Sequence, residues 1–519
     1  MHHRHHRATW ALALALVTCA VSVDAQSQPD GRSAAAVRRL SMDEAVRLAL
    51  EQNLGIQIDR MSPQIQDLSV AQAQAAWVPN FTTSFSNNSR NQPPTSALSG
   101  GAGTIKDSQF STQLGVNQVL KTGTSYSFAW NSARATSTNL FNNFDPLLSA
   151  RMEFSVTQPL LRNFKIDNTR QLVETSVKDR EAAEVQLQAT ILSTTRNVKN
   201  AYWDLAYQID NLKAQRQSLD LAKRLLADNE KRVQIGTMAP IDIVEAQSEV
   251  ARNEESVIVA EAGIKQAEDR LRALIFNPSM PDFWSTTIEP TESMPFVMQV
   301  VDVDGAIQRA LANRTDVQTS KNSLARQDIS VRYLRNQILP DVSAELAYRN
   351  DAIGGTLLNP ITFAQIGAPR TVVDERGFGS VLGDVVTNAF PTWTFGVTVA
   401  YPIGKSQSEA NLARAKLQYS QAEAQLRNLE LQIATEVRDA ARQVQTNQKR
   451  VDSARAARAL AERRLEAEEK KFAAGIQISF FVFQAQRDLA QARTNEIRAI
   501  ADYNKSLVDF EAVQETALR

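Results

Sequence analysis

One turn occurs twice in this chain, and the repetition constrains the fold more than any other feature. The first copy runs Glu230-Lys231-Arg232-Val233-Gln234-Ile235-Gly236-Thr237 and on to Ala246-Gln247. The second runs Glu469-Lys470-Lys471-Phe472-Ala473-Ala474-Gly475-Ile476 and on to Ala485-Gln486, matching at Glu, Lys, Gly and Ala-Gln, always 239 positions later. Each copy carries two cations where a helix would end, at the negative pole of its dipole: Lys231/Arg232 and Lys470/Lys471. Each then has a glycine, Gly236 or Gly475, free to take the left-handed conformation that closes a helix. Pro240 suits the first turn of a returning helix, and Asp242 is the acid such a turn favours. The pattern predicts two long helical hairpins with tips near 236 and 475 in an internally duplicated chain.

Seven-residue seams lead into and out of both tips. Leu205, Leu212, Leu219, Leu226 and Val233 run toward the first, with Ile209 beside them, and Ile243, Val250, Val257, Ile264 and Leu271 run away from it. The second approach reads Val444, Val451, Leu465 and Phe472, interrupted at Arg458; its return reads Val482, Leu489, Tyr503 and Phe510, interrupted at Glu496. Sustained heptads belong to helices packed in coiled-coil fashion. A continuous helix over 169–235 would reach about 100 Å at about 1.5 Å per residue. A hairpin that long has too little core of its own and must pack against neighbours.

The duplication extends beyond the tips. Asp43-Glu44-Ala45-Val46-Arg47-Leu48-Ala49-Leu50 returns 261 residues later as Asp304-Gly305-Ala306-Ile307-Gln308-Arg309-Ala310-Leu311, and Asp67/Asp328 and Val70/Val331 keep the offset. Both helical regions end in a proline, at Trp77-Val78-Pro79 and Ile338-Leu339-Pro340, after which the period changes to two. Phe81, Thr83 and Phe85 alternate with Thr82, Ser84 and Ser86, and Val342, Ala344, Leu346 and Tyr348 with Ser343, Glu345, Ala347 and Arg349. Similar alternation covers 110–117, 125–131, 152–157 and 394–401, so strands are expected over about 81–159, 342–350 and 393–401. Loops rich in Gly, Asn, Ser and Pro are expected at 91–106, 135–149 and 351–392. Strands of about ten residues, apolar on one face and polar on the other, are what an outer-membrane barrel requires. A soluble antiparallel sheet with one wet face fits each strand equally well.

The leading residues favour the membrane. Arg4, Arg7 and four histidines precede an apolar run at 10–23, followed by small Ala25. This predicts a secretory signal over 1–25, too short to span a bilayer as a helix. Lipidation at Cys19 is the weaker option, because Thr18 suits it poorly. Cleavage after Ala25 removes the only cysteine and all four histidines. Disulfides, thiol nucleophiles, imidazole bases and ordinary zinc sites then drop out. His2-His3 and His5-His6 are a weak metal signal, and no cofactor is expected. Lys+Arg and Asp+Glu both number 57, so charge offers nothing to nucleic acid. With no later apolar span, membrane crossing would need a closed β-barrel.

Prolines 278, 281, 290 and 295 make 277–299 a linker, with room for a short strand or helix packed on the outside of the bundle. The expected organisation is a signal at 1–25, a first repeat at 26–276, the linker, and a second repeat at 300–519. No further domain is expected after the last helix.

This order of elements, over about residues 40–515, resembles the TolC family of outer-membrane channel proteins. Its most specific parts are the two tips, with glycine followed by Ala-Gln, and the helix-to-strand junctions at 77–79 and 339–340. The resemblance implies a mostly α fold with membrane β: a homotrimer whose helical hairpins form one α-barrel tunnel through the periplasm, and whose strands form one shared β-barrel among outer-membrane lipid. It implies a passive duct that docks to a periplasmic adaptor protein and an inner-membrane transporter, with the tip turns Gly236, Thr237, Gly475 and Ile476 meeting the adaptor. The family usually has two membrane strands per half, so the additional hairpin 108–134, with its Lys121-Thr122-Gly123 turn, is either accessory or an enlargement of the barrel, accessory strands at the rim being the preferred expectation.

The family narrows its periplasmic end with acids six and nine positions after the tip glycine. Here those positions are Asp242 and Glu245 in the first half, and Phe481 and Gln484 in the second. The resemblance implies a carboxylate ring and a phenylalanine collar, a combination that selects by charge and closes by dewetting. The plainer alternative has Asp242 complementing a helix N-terminus and Phe481 packed between helices. A periplasmic adaptor is the other function considered; it would carry a single hairpin in a small β-domain. An enzyme is disfavoured, since no histidine base or glycine-rich phosphate loop organises the abundant Ser, Asp and Glu.

Overall fold

The computed structural model describes residues 37–93, 103–139, 141–281, 283–360, 370–404 and 406–515. The expected signal, Cys19 and the histidine pairs lie outside them. The first half contains β1 (Val37–Leu40), α1 (Met42–Gln52), α2 (Leu54–Gln74), β2 (Asn80–Gln92), β3 (Ile105–Val119), β4 (Ser125–Ser137), β5 (Phe144–Pro159), α3 (Asn168–Gln234) and α4 (Ile241–Ile275). Then follow β6 (Thr287–Pro290), α5 (Val303–Asn313), α6 (Thr315–Gln337), β7 (Asp341–Leu358), β8 (Val372–Arg376), α7 (Phe378–Val386), β9 (Pro391–Ala400), α8 (Gln407–Ala473) and α9 (Ser479–Gln514). None of the described helices is long and apolar enough to cross a membrane.

The descending helices α3 and α8 each have 67 residues, about 100 Å, and the returning helices have 35 and 36. Local chemistry sets their ends. Asp167 accepts from the Arg170 amide to start α3, and Ser406 with Glu409 forms a capping box for α8. Because each return is half as long as its descent, the helices change partners along their length. Near the sheet α3 packs on α2 and α6, and α6 on α8; toward the tips α3 packs on α4 and α9, and α9 on α8. Four helices thus lie side by side at every level, with α2 or α4 at one open edge and α8 at the other.

Most of the second seam is buried: Val444, Val451, Leu465, Phe472, Val482, Leu489 and Tyr503 are buried, and Phe510 is half-buried. Its two interruptions answer each other, since Arg458 Nε lies 3.1 Å from Glu496 Oε2. The first seam differs. Leu205, Leu212 and Leu271 are buried, but Leu219, Leu226, Ile243, Val250, Val257 and Ile264 are only half-buried. Ala222, Ala246, Ala260 and Ala267 take the fully covered places, since alanine lets neighbouring helices approach closely.

The linker is strapped to the helices. Its short strand β6 pairs in parallel with β1, a strand the sequence reading did not anticipate. The Tyr202 hydroxyl donates to Leu40 O at 3.2 Å and accepts from the Glu292 amide at 3.2 Å. Tyr503 likewise donates to Val297 O at 2.7 Å and accepts from the Gln299 amide at 3.2 Å. Both tyrosines are fully buried, and their hydroxyls are satisfied by backbone, Tyr202 by β1 and the strap and Tyr503 by the strap alone.

The strands form one antiparallel sheet in the order β2-β3-β4-β5-β7, with β8 and β9 both on the remaining edge of β7. The hairpin expected as rim strands is inside this sheet: β3 pairs with β2, and β4 with β5, along most of their lengths. Its turn is seated at the helix junction, where a Cβ on Gly123 (φ +85°) would lie 2.8 Å from Arg170 Nη2 and 3.0 Å from Asn163 O. Gln118 Nε2 also donates to Trp77 O at 2.6 Å. The register continues across both strands, which is why they cannot be peripheral.

The described parts of the region 351–392, which leave out 361–369, are not the expected loop. β7 continues to Leu358, and β8 and α7 follow. The glycines that counted toward a loop serve close packing, as a Cβ on Gly354 would come within 2.4 Å of Val381 Cγ2. Val381 and Val385 of α7 pack there on Leu148, Ala150 and Ala352.

Candidate functional site

The two tips close with the same backbone pattern. Gly236 N donates to Val233 O at 3.0 Å and Thr237 N to Arg232 O at 2.9 Å; Gly475 N donates to Phe472 O at 3.1 Å and Ile476 N to Lys471 O at 3.0 Å. This is the Schellman arrangement, with both glycines at φ +74°. A Cβ at either glycine would meet no atom within 4 Å, so the requirement for glycine is conformational.

One apolar cluster joins the tips: Leu225 and Ala246 of the first hairpin pack with Leu465, Phe472, Val482 and Phe483 of the second. Arg232 spans the boundary, its guanidinium 4.4 Å from the Phe472 ring centre and its Nη1 donating to Phe472 O at 3.3 Å. Asn229 lies fully buried beneath the first tip, its Oδ1 without a hydrogen-bond partner. On the second tip, the hydrogen bond from Lys471 holds the Glu468 carboxyl below its ordinary pKa, while burial and nearby Glu466 raise that of Glu469.

Asp242 is half-buried in the first turn of α4, and the Ser479 hydroxyl donates to its Oδ1 at 3.2 Å. It therefore complements a helix start and also ties the two hairpins together. Glu245, one turn further on the same face, is exposed. In one copy Phe481 is 40% exposed and edge-on to Phe480 at 5.6 Å, while Phe483, 3% exposed, fills the core. Gln484 is exposed one turn beyond Phe481. The structure thus joins Asp242 to the second hairpin and leaves Glu245, Phe481 and Gln484 on open faces. Ser479 was missed by sequence reading, although the repeat offset points to it as the counterpart of Pro240.

Two hairpins, each following its own strands, stand against a single-hairpin adaptor. No curated protein matches the chain. Solved structures do, at low identity and over most of the length. The CmeC outer membrane channel of Campylobacter jejuni is 16% identical over 91% of this chain and 85% of its own, with a TM-score of 0.62. VceC, an outer membrane protein of Vibrio cholerae, is 15% identical over 92% and 97%, with a TM-score of 0.62. The open state of the MtrE outer membrane channel of Neisseria gonorrhoeae is 15% identical over 91% and 88%, with a TM-score of 0.61. At such identity these likenesses concern the fold. The family model described as outer membrane efflux protein matches residues 123–275 and 306–513, most of the chain and both repeats. The chain belongs to the outer membrane efflux protein family.

Proposed function

We propose that three copies of the chain, without residues 1–25, form one tube whose sheets close a barrel in the outer membrane and whose helices line a tunnel through the periplasm. One observation carries this reading: the open edges of the sheet and of the helical layer lie on the same two sides. On one side α2 leads into β2, and exposed Ile58, Met61, Ile65 and Leu68 form a helical stripe on α2. On the other β9 leads into α8, where Leu417 and Leu431 are exposed. Joining one side to the other is a head-to-tail contact, which closes into a ring when the rotation permits. In lipid, each unpaired strand edge must find such a partner.

The tube is a passive duct, with no catalytic step assigned, that receives its cargo from an inner-membrane transporter through a periplasmic adaptor. Exposed Ile235, Ile241, Ile476 and Ile478 around Gly236, Thr237 and Gly475 support adaptor docking, being apolar tips with no cover in one copy. Three Asp242/Glu245 pairs would form an acidic ring alternating with Phe481 and Gln484. Light scattering of the detergent-extracted protein should give a trimer, and planar bilayers a cation-preferring conductance. Asp242→Asn with Glu245→Gln should reduce that preference, read as a reversal potential closer to zero in a salt gradient. Unchanged selectivity would reduce Asp242 to its tie with Ser479.

A further inference from the structure

We infer that each copy contributes six strands rather than four to the barrel, so that the assembled wall has about eighteen strands and the barrel does not select cargo by size. This rests on the trimeric reading above and adds to it the dimension of the exit.

The six strands are β2, β3, β4, β5, β7 and β9. One apolar row crosses all of them without a slip, as Phe81, Val116, Phe128, Phe154, Tyr348 and Trp393 are successive cross-strand partners. The opposite face carries the row Ser84, Gln113, Asn131, Arg151 and Asp351. That polar face is the concave one, since these residues line a hollow. The sheet therefore curls around its polar side and turns its aromatic side outward, and β3 and β4 follow this curvature as their neighbours do. A hairpin standing outside the wall would break both rows. β8 adds no seventh strand: it pairs with Gly355–Leu358 of β7, in line with β9 on Asp341–Asn350.

The partner for each edge is a second copy of this chain. β2 leaves its helix and β9 returns to one, so β2 of one copy meets β9 of the next antiparallel, continuing the pattern of the sheet. Widths support the count. Twelve helices about 10 Å apart make a ring about 19 Å in radius. Eighteen strands about 4.8 Å apart and tilted about 40° make a cylinder about 18 Å in radius, whereas twelve make one of about 12 Å. With eighteen strands, barrel and tunnel meet at matching width, and any narrowing is left to the hairpin tips.

Cryo-electron microscopy of the full protein in lipid nanodiscs tests this directly. A cylinder with six strands from each of three copies is expected. A twelve-stranded trimeric cylinder with 105–137 outside the wall would overturn the inference while leaving the trimeric duct intact; absence of a trimer would instead sink the underlying reading. A second measurement uses polyethylene glycols added from the barrel side in planar bilayers. The full protein should admit polymers about 1.5-fold wider than a variant in which 105–137 is replaced by a short loop between β2 and β5. Equal cut-offs would also overturn it.

Discussion

The two hairpins share length, turn and register, yet their seams are made differently. Each seam position in α3 has its counterpart 239 residues later in α8: Leu205 with Val444, Leu212 with Val451, Leu219 with Arg458, Leu226 with Leu465 and Val233 with Phe472. The returns correspond in the same way, and Val257 answers to Glu496. At one layer, then, the first half has an apolar pair of positions and the second has an ion pair. The second seam buries all its large residues but Phe510 within one copy, whereas the first leaves several of its own half-covered beside small alanines. Duplication preserved the geometry of the hairpin and let the chemistry of the seam diverge, with the first seam still in want of cover.

The largest effect should separate Leu465 from Leu226. Leu465→Ala empties a buried site and is expected to cost about 2–5 kcal/mol in thermal unfolding of the purified protein, against about 1–2 kcal/mol for Leu226→Ala. Equal losses would break the contrast, by indicating that an adjoining subunit buries Leu226 as fully as the second hairpin buries Leu465.

The divergent layer comes next. Glu496→Val alone removes the carboxylate that Arg458 shares with Arg455 and should cost about 1–3 kcal/mol, moderated because Arg458 is partly solvated and keeps Glu462 at 3.9 Å. Adding Arg458→Leu copies the first half and should recover most of that loss, read as coupling in a double-mutant cycle. Independent, additive losses would show that the ion pair contributes nothing as a pair. The smallest change concerns the tips: Ser479→Ala removes the hydroxyl on Asp242 and should cost about 0.5–1.5 kcal/mol. A loss of bilayer selectivity as large as that of the Asp242/Glu245 double variant would promote Ser479 from a tie to part of the constriction.

Repetition and periodicity made much of this legible. Glycines 236 and 475 declared the tips because only a left-handed closure explains cations, glycine and a fresh helix start in that order. Strand alternation revealed the β3–β4 hairpin but not its place in the sheet, because register between strands depends on partners distant in sequence. Gly354 and Gly355 misled, since a glycine under a packed helix or close against a neighbouring strand and a glycine in a loop look alike in sequence. At the tips, Asp242, Glu245, Phe481 and Gln484 came from family position. Ser479 escaped because a serine hydroxyl reaching another hairpin leaves no local pattern.

The strap between the halves sets a mechanical limit. It is held by Tyr202 of α3 at Glu292 and by Tyr503 of α9 at Val297, six residues of chain inclusive. Six residues extend to at most about 20 Å. While both hydroxyls hold, α3 and α9 are tethered at that height, and any splaying of the hairpins must pivot about this fulcrum, with the excursion growing toward the free ends.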